Sequence, residues 1–208
     1  MTPYTNLQEI ASKVSNCTSC RLSTTRTNTV PGSGASEAQI MFVGEAPGLN
    51  EDRTGHPFVG RAGNLLDQLL NSIGLDRDKV FITNMVKCRP PKNRDPQNDE
   101  IEPCSTHLDA QIEALSPKVI VTLGRFSFSK FFPGETITRS RGIVRKWNNM
   151  NILPMYHPAA ALYNPSLRPR LEKDFKKLLE LTNPIKNVAQ YPTNESEIVK
   201  ERQLGLFD

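Results

Sequence analysis

Polar residues that could carry out catalysis follow the ends of four short apolar runs in this 208-residue chain. The acidic loop GEAPGLNED (44–52) follows the first run, Asn84 the second, Gly124 the third and Tyr156-His157-Pro158 the fourth. In an open parallel sheet, ligands bind beyond the carboxyl ends of the strands. The sequence therefore predicts that carboxylates, an amide and an imidazole converge on one edge of a sheet.

Four cysteines form a second candidate site. Cys17 and Cys20 have the spacing at which two thiolates reach one ion or cluster, and Cys88 and Cys104 would join them through folding. The N-terminal residues lack the pattern of a secretory signal, so disulfides are not expected. The spacing indicates a metal site but does not separate zinc from an iron–sulfur cluster. Four unrelated thiols are the remaining alternative.

The elements that must position these residues alternate between strands and helices. Brief apolar runs that end at a polar residue or glycine predict strands at 39–43, 80–83, 118–123 and 151–155. Helical periodicity is present at 58–73, 99–115 and 167–181. This alternation predicts an α/β fold with a central, mainly parallel four-stranded sheet.

Composition and charge indicate a globular protein. Apolar residues make up 37% of the chain and charged residues 23%, and no run approaches the roughly 20 apolar residues of a membrane span. We expect one domain over residues 1–182 and a flexible, polar tail over 183–208. The net charge of +4 permits a nucleic-acid partner without requiring one. A monomer in the cytoplasm is the simplest expectation.

Several longer motifs resemble one enzyme family. These are GEAPG at 44–48, EDRTGHPFVGRAGNLLD at 51–67, ITNMVKCRPPKNRDP at 82–96 and HPAAAL at 157–162. Together with the four cysteines, they resemble the family 4 uracil-DNA glycosylases, the bacterial and archaeal enzymes that carry an iron–sulfur cluster. The resemblance implies the three-layer α/β/α fold of these enzymes and a [4Fe-4S] cluster on the cysteines. It also implies hydrolysis of the bond between deoxyribose and uracil in DNA.

The resemblance assigns roles to the residues of the uracil pocket. Phe58 is the aromatic ring on which the extruded base stacks. Asn84 reads uracil, because one carboxamide can donate to O4 and accept from N3–H. His157 donates a hydrogen bond to O2, where negative charge develops as uracil leaves. The backbone near Ala46 and Gly48 is expected to line the pocket.

Two glutamates of the first loop are candidates for handling the attacking water. Glu51 is the first choice for orienting water or stabilising the sugar cation, and Glu45 is expected to position the loop or the base. Family 1 enzymes carry Asp in place of Ala46 and Tyr in place of Gly48, so their water activation and thymine exclusion do not carry over. The segment CRPPKNRDPQND (88–99) lacks the histidine-containing insertion of a related covalent-trapping group. Turnover without a covalent adduct is therefore expected.

Further residues are predicted to bind DNA and a protein partner. Leu162, or Ala161 beside it, would press into the duplex and fill the vacated stack. Arg141 and Arg168 would contact phosphates. The peptide Gln203–Phe207 (QLGLF) resembles the motif by which bacterial repair proteins dock on the β sliding clamp. These partners place the protein beside the nucleoid of a prokaryote.

Two functions without glycosylase chemistry compete with this interpretation. One is a nucleic-acid-binding module stabilised by zinc or an iron–sulfur cluster, and the other is an electron-transfer iron–sulfur protein. Neither function requires Asn84, His157 and a glutamate at one sheet edge, so the predicted convergence of these residues disfavours both.

Overall fold

The computed structural model describes residues 6–182 of the chain. The predicted tail at 183–208, with its clamp-binding peptide Gln203–Phe207, lies outside the described residues. Over residues 6–182, no helix is both long enough and apolar enough to cross a membrane.

A six-stranded sheet forms the centre of the fold. Its strands are β1 (Ser33–Gly34), β2 (Ile40–Gly44), β3 (Phe81–Asn84), β4 (Val119–Leu123), β5 (Arg145–Trp147) and β6 (Met150–Met155). Their spatial order is β1-β3-β2-β4-β6-β5, with the four inner strands parallel and both outer strands antiparallel to their neighbours. The inner strands match the four predicted runs to within one residue at each end.

The prediction of a four-stranded sheet was wrong at both edges. Strand β1 has two residues and β5 has three. Segments this short carry no readable alternation of apolar and polar residues. They become strands only because a neighbouring strand offers unpaired backbone groups, which is a tertiary effect.

Helices cover both faces of the sheet and complete the expected α/β/α arrangement. They are α1 (Leu7–Ser15), α2 (Leu49–Thr54), α3 (Arg61–Asn71), α4 (Asn98–Leu115), α5 (Arg125–Phe131), α6 (Ile137–Ser140), α7 (Pro158–Tyr163) and α8 (Arg168–Thr182). Side chains of β2 alternate between two cores. Phe42 packs with residues of α3 and α8 on one face, whereas Met41 packs with residues of α4 and α5 on the other.

The third helix begins later than its apolar pattern predicts. The periodicity starts at Phe58, but α3 begins at Arg61 with Gly60 as its N-cap. Phe58 has a φ of 54°, in the left-handed region that a helix cannot contain. The three residues before the helix therefore form a loop that belongs to the candidate site.

Candidate active site at the carboxyl edge of the sheet

The ends of β2 and β3 bring the first two functional segments together. Gly44 pairs with Asn84 in the parallel register of these strands. A Cβ atom on Gly44 would overlap Oδ1 of Asn84 and lie 2.7 Å from Cζ of Phe58. Glycine is required here because the amide and the aromatic ring both approach the backbone closely. Gly44 is thus the floor of the candidate site.

Phe58 is held in an unusual backbone conformation by its neighbours. Its ring is 5% exposed, and its carbonyl accepts a hydrogen bond from the guanidinium of Arg77. Arg77 also donates to the carbonyl of Pro57 at 3.0 Å and pairs with Asp67 at 2.6 Å. A Cβ on Gly63 would overlap the Phe58 carbonyl. Strained residues held by surrounding contacts often occur at functional sites, and here the strain aims an aromatic ring.

His157 follows β6 and faces the Phe58 ring. The two ring centroids are 5.4 Å apart with an interplanar angle of 25°. Nδ1 of His157 accepts a hydrogen bond from the backbone N–H of Ala159 at 3.1 Å, so the ring proton of the neutral imidazole is on Nε2. Burial lowers the pKa of His157 to about 4, although Glu51 opposes this shift. His157 is therefore a neutral Nε2–H donor at physiological pH.

Asn84 is a buried amide with a free side chain. It is 2% exposed, and in residues 6–182 its carboxamide makes no hydrogen bond. Its backbone carbonyl, by contrast, accepts a hydrogen bond from Nζ of Lys87 at 2.6 Å. The carboxamide atoms retain slight contact with solvent, which a bound ligand could replace with hydrogen bonds. The geometry therefore makes Asn84 available for reading a ligand.

Glu51 is engaged by the backbone of its own loop. Its Oε1 accepts from the N–H groups of Val59 and Gly60 at 2.9 and 3.0 Å, and its Oε2 accepts from Gly48 at 3.0 Å. Three such bonds tie α2 to the segment that carries Phe58. The carboxylate predicted to handle water is thus bound on both oxygens by the loop that it organises.

The environment of Glu45 differs from that of Glu51, because its carboxyl group is not bound by the backbone. Its side chain makes no hydrogen bond or ion pair within the described residues. Burial raises the pKa of Glu45 to about 7, with a further rise from Asp95 and an opposing effect of Arg125. Glu45 directly follows Gly44 at the end of β2, and the charged side chains nearest to its carboxyl group are Asp95 and Arg125. A carboxyl group with a pKa near neutrality is suited to proton transfer.

The backbone N–H groups of the loop differ in their availability. The N–H of Gly48 is committed to Glu51. The N–H of Ala46 makes no hydrogen bond within residues 6–182, and Ala46 is partly buried against the α4 side of the core. Of the two residues predicted to line the uracil pocket with backbone, only Ala46 has a donor that is free to bind a ligand.

The four cysteines surround one pocket on the α1 and α4 side of the molecule. Cys17, Cys20, Cys88 and Cys104 all line it, together with the basic residues Arg26, Lys87 and His107. Arg26 donates to the Cys17 carbonyl at 2.7 Å and to Sγ of Cys88 at 3.3 Å. In the described part of the chain, no three His, Cys, Asp or Glu side chains are arranged to hold a single metal ion. The sulfurs are instead spread around the walls of the common pocket.

The residues predicted to contact DNA differ in their exposure and in their ion pairs. Arg141 is paired with the buried Asp174 at 2.6 Å and also donates to the Arg170 carbonyl. Arg168 is exposed, pairing with Glu172 at 3.0 Å. Leu162 is partly buried against the core beneath α7, and Ala161 is fully buried in that core. The following residue, Tyr163, is 91% exposed.

Four residues with clear structural roles were missed in the sequence. Arg77 and Arg26 lie in polar segments where nothing in their spacing singles them out, and Lys87 lies within the motif at 82–96 without a pattern that indicates its role. Lys87 and Arg77 act through backbone carbonyls, and such partners are visible only in three dimensions. Tyr163 could have been suspected, because a large aromatic residue directly follows the HPAAAL motif.

Comparison with known proteins gives a consistent result. Residues 31–182 match the family model of the uracil DNA glycosylase superfamily. The chain is 56% identical over 186 residues to the type-4 uracil-DNA glycosylase of Sulfurisphaera tokodaii, covering 85% of this chain and 84% of that protein. It is 54% identical to the type-4 enzyme of Saccharolobus solfataricus, covering 84% and 86%. Its identity to the type-4 enzyme of Archaeoglobus fulgidus is 49%, covering 85% and 93%.

Proposed function

This chain belongs to the type-4 members of the uracil-DNA glycosylase superfamily, and on that premise we propose that it excises uracil from DNA. The reaction hydrolyses the N-glycosidic bond of an extruded deoxyuridine, releases uracil and leaves an abasic site. The observation that carries this proposal is the approach of Asn84 and Phe58 to Gly44, with the His157 ring stacked against that of Phe58. These residues supply an amide, a stacking ring and a neutral imidazole donor.

Base selection is assigned to Asn84. Its free carboxamide can donate to uracil O4 and accept from N3–H. Cytosine presents a donor at the first position and an acceptor at the second, so both contacts would become mismatched. Asn84 is 2% exposed, so a base bound against it would displace the remaining solvent, and unpaired polar groups in such a site are strongly unfavourable.

Stabilisation of the leaving group is assigned to His157. As the glycosidic bond breaks, the electron pair moves into uracil and negative charge collects on O2. The Nε2–H of the neutral imidazole strengthens its hydrogen bond to O2 as that charge grows, which lowers the barrier. The free N–H of Ala46 is a second donor at the same edge.

Water activation is assigned to Glu45 rather than to Glu51. The three backbone hydrogen bonds of Glu51 leave its carboxylate as a loop organiser that keeps Phe58 in place. Glu45 has no such bonds, and its pKa of about 7 suits a base that accepts a proton from water. This proposal differs from the ranking expected from the motifs, in which Glu51 is the first choice.

Contact with the DNA strand is assigned to α7 and the start of α8. His157 caps α7 and Tyr163 ends it, so the exposed ring lies roughly 9 Å along the helix from the imidazole. Tyr163 is placed to stack on bases next to the extruded nucleotide, with Leu162 packed behind it. Arg168 is available for a phosphate, whereas Arg141 serves chiefly to anchor α8 through Asp174.

The four cysteines fit a [4Fe-4S] cluster. Thiolates are the ligands such clusters take, and all four line one pocket. The guanidinium of Arg26, which donates to Sγ of Cys88 at 3.3 Å, suits a group of net negative charge. When bound, the cluster supplies a link between residues 17–20 and the segments of Cys88 and Cys104. Broad absorbance at about 400 nm, with about four irons per chain, would support a cluster over zinc.

One assay tests the proposed function. The purified protein is incubated with single- and double-stranded oligonucleotides that carry one uracil, and alkali-labile sites are counted. Matched oligonucleotides with cytosine or thymine at that position are the controls. Cleavage confined to the uracil strand is expected. Absence of cleavage on both uracil substrates would reject the proposal.

A further inference from the structure

A buried lysine lies directly behind the residue proposed to read uracil. Lys87 is 1% exposed. Its Nζ donates to the Asn84 carbonyl at 2.6 Å, to Oε1 of Gln111 at 2.6 Å and to Oγ1 of Thr83 at 2.7 Å. In the protonated form of Lys87 the amine has three N–H groups, and each one has an acceptor. None of the three acceptors is a carboxylate.

The acceptors of Lys87 are themselves held in place. The amide nitrogen of Gln111 donates to the Pro31 carbonyl at 2.6 Å, and the Thr83 hydroxyl donates to the same carbonyl at 2.9 Å. This network joins the end of β3, the middle of α4 and the segment before β1. Because Gln111 and Thr83 are both oriented by the Pro31 carbonyl, they fix the position of Nζ, which therefore donates its remaining hydrogen to Asn84.

The backbone of Lys87 is connected to the cysteine pocket. Its N–H donates to Sγ of Cys104 at 3.3 Å, and the next residue is Cys88. The Lys87 carbonyl accepts from Val30 at 2.8 Å. Lys87 therefore stands between the cysteines on one side and Asn84 on the other.

The hydrogen bond from Lys87 to the Asn84 carbonyl is also linked to Gly44, the floor of the pocket. The carbonyl that accepts from Lys87 belongs to the peptide whose N–H, that of Met85, donates to the Gly44 carbonyl at 3.0 Å. A cation on this carbonyl polarises the peptide and strengthens its outgoing hydrogen bond. Gly44 and Asn84 are thereby held together where the Asn84 amide and the Phe58 ring both approach the Gly44 backbone.

We propose that Lys87 is a positioning residue for uracil recognition, whose ammonium holds the Asn84 backbone so that its carboxamide faces the base. Burial without a carboxylate partner lowers the pKa of Lys87 to about 7, and an apolar side chain of similar size would fill the space at a lower cost. A lysine at position 87 therefore serves to orient Asn84 rather than to stabilise the fold. The inference rests on the proposed function, in which Asn84 reads uracil.

A double-mutant cycle tests the kinetic part of the proposal on the full chain with its cysteine-bound group. Single-turnover rates on a single-stranded uracil oligonucleotide are compared for the wild type, Lys87→Met, Asn84→Ala and the double variant. Lys87→Met is expected to slow excision about 10-fold or more alone, but less than about 2-fold when Asn84 is already alanine. Equal losses in both backgrounds would overturn the proposal. Lys118→Met, at an exposed lysine, is the matched control.

A spectroscopic readout separates this inference from the proposed function. In protein labelled with nitrogen-15 at asparagine, the Asn84 side-chain resonance is identified by its loss in Asn84→Ala. Lys87→Met is expected to shift it, and Lys118→Met to leave it in place. Should Lys87→Met fail to fold, Gln111→Glu keeps the lysine and draws its ammonium toward a carboxylate, with the same shift expected. An Asn84 resonance unmoved by the folded variants would overturn the inference, whether or not the wild type excises uracil.

Discussion

The Phe58 ring lies nearly parallel to the imidazole of His157, with the centroids 5.4 Å apart. The two residues are 99 positions apart in the chain and come from different layers of the fold: one from a strained loop before α3 and the other from the end of β6. Their contact joins the proposed stacking platform to the proposed donor for the leaving group. Changes at His157 should therefore affect chemistry, whereas truncation of the buried Phe58 should lower stability as well.

Replacement of His157 by alanine should slow excision about 100-fold, because a preorganised donor to the leaving group is lost. The affinity for uracil-containing DNA should change little. Since the pKa of His157 is about 4, the imidazole does not titrate near neutrality, and the midpoint of the pH–rate profile should be the same in the variant. Single-turnover rates between pH 5 and pH 9 check this. A midpoint that disappears with the histidine would contradict the assignment.

Replacement of Glu45 by glutamine should slow excision at least about 10-fold and flatten the pH–rate profile. In the wild type, excision should rise with pH through about 7 as the Glu45 carboxyl group loses its proton.

Thermal unfolding gives a second measure of Glu45. A carboxyl whose folded pKa is raised binds more protons in the folded state between its unfolded pKa and about 7. This group therefore lowers the free energy of unfolding as the pH rises through that window. Glu45→Gln should stabilise the protein above pH 7 by on the order of 1 kcal/mol, after allowance for solvent screening. Glu51→Ala, which removes three hydrogen bonds, should destabilise it, and destabilisation by Glu45→Gln would argue against this environment.

Replacement of Gly44 by alanine should reduce activity more than about 10-fold, because the added methyl group overlaps the Asn84 amide and approaches the Phe58 ring. Gly74→Ala offers a matched contrast. Gly74 has a φ of 74° and no atom within 4 Å of an added Cβ, so alanine there should cost about 1 kcal/mol of stability and little activity. Urea unfolding and uracil excision measured on both variants distinguish the two effects. Full activity in Gly44→Ala would argue against the proposed pocket floor.

Replacement of Tyr163 by alanine should weaken excision from double-stranded DNA about 10-fold, because the exposed ring can no longer stack on bases beside the extruded nucleotide. Excision from single strands should fall less. Leu162→Ala should instead lower the melting temperature, since this side chain packs against the core. Comparable effects of Tyr163→Ala on both substrates would exclude a role in filling the duplex.

Deletion of residues 203–208 should abolish binding to a bacterial β sliding clamp while leaving excision from short oligonucleotides intact. The expectation rests on the Gln203–Phe207 motif alone. Surface plasmon resonance with immobilised clamp measures the first effect, and the oligonucleotide assay measures the second. Unchanged clamp affinity would reject this role for the motif.

Much of the fold could be predicted because its signals are local. An apolar run with a glycine or polar exit identifies each inner strand, and helical periodicity identifies α4 and α8 to within one residue. The outer strands β1 and β5 could not be predicted, because their strand character comes from pairing rather than from their own residues. The predicted start of α3 was wrong for a similar reason, since contacts with Arg77 and Gly63 hold Phe58 outside the helix.

The sequence by itself determined which chemical groups reach the carboxyl edge of the sheet. Strand order and residue type already place Asn84, His157 and the glutamates there, because consecutive parallel strands end on the same side. Only the tertiary structure decided what each group can do. In the described residues Glu51 accepts from three backbone N–H groups, the partly buried Glu45 makes no side-chain hydrogen bond, and Lys87 lies behind Asn84. Hydrogen bonds to distant backbone atoms and burial determine a group's protonation and direction, and neither is encoded in the spacing of residues along the chain.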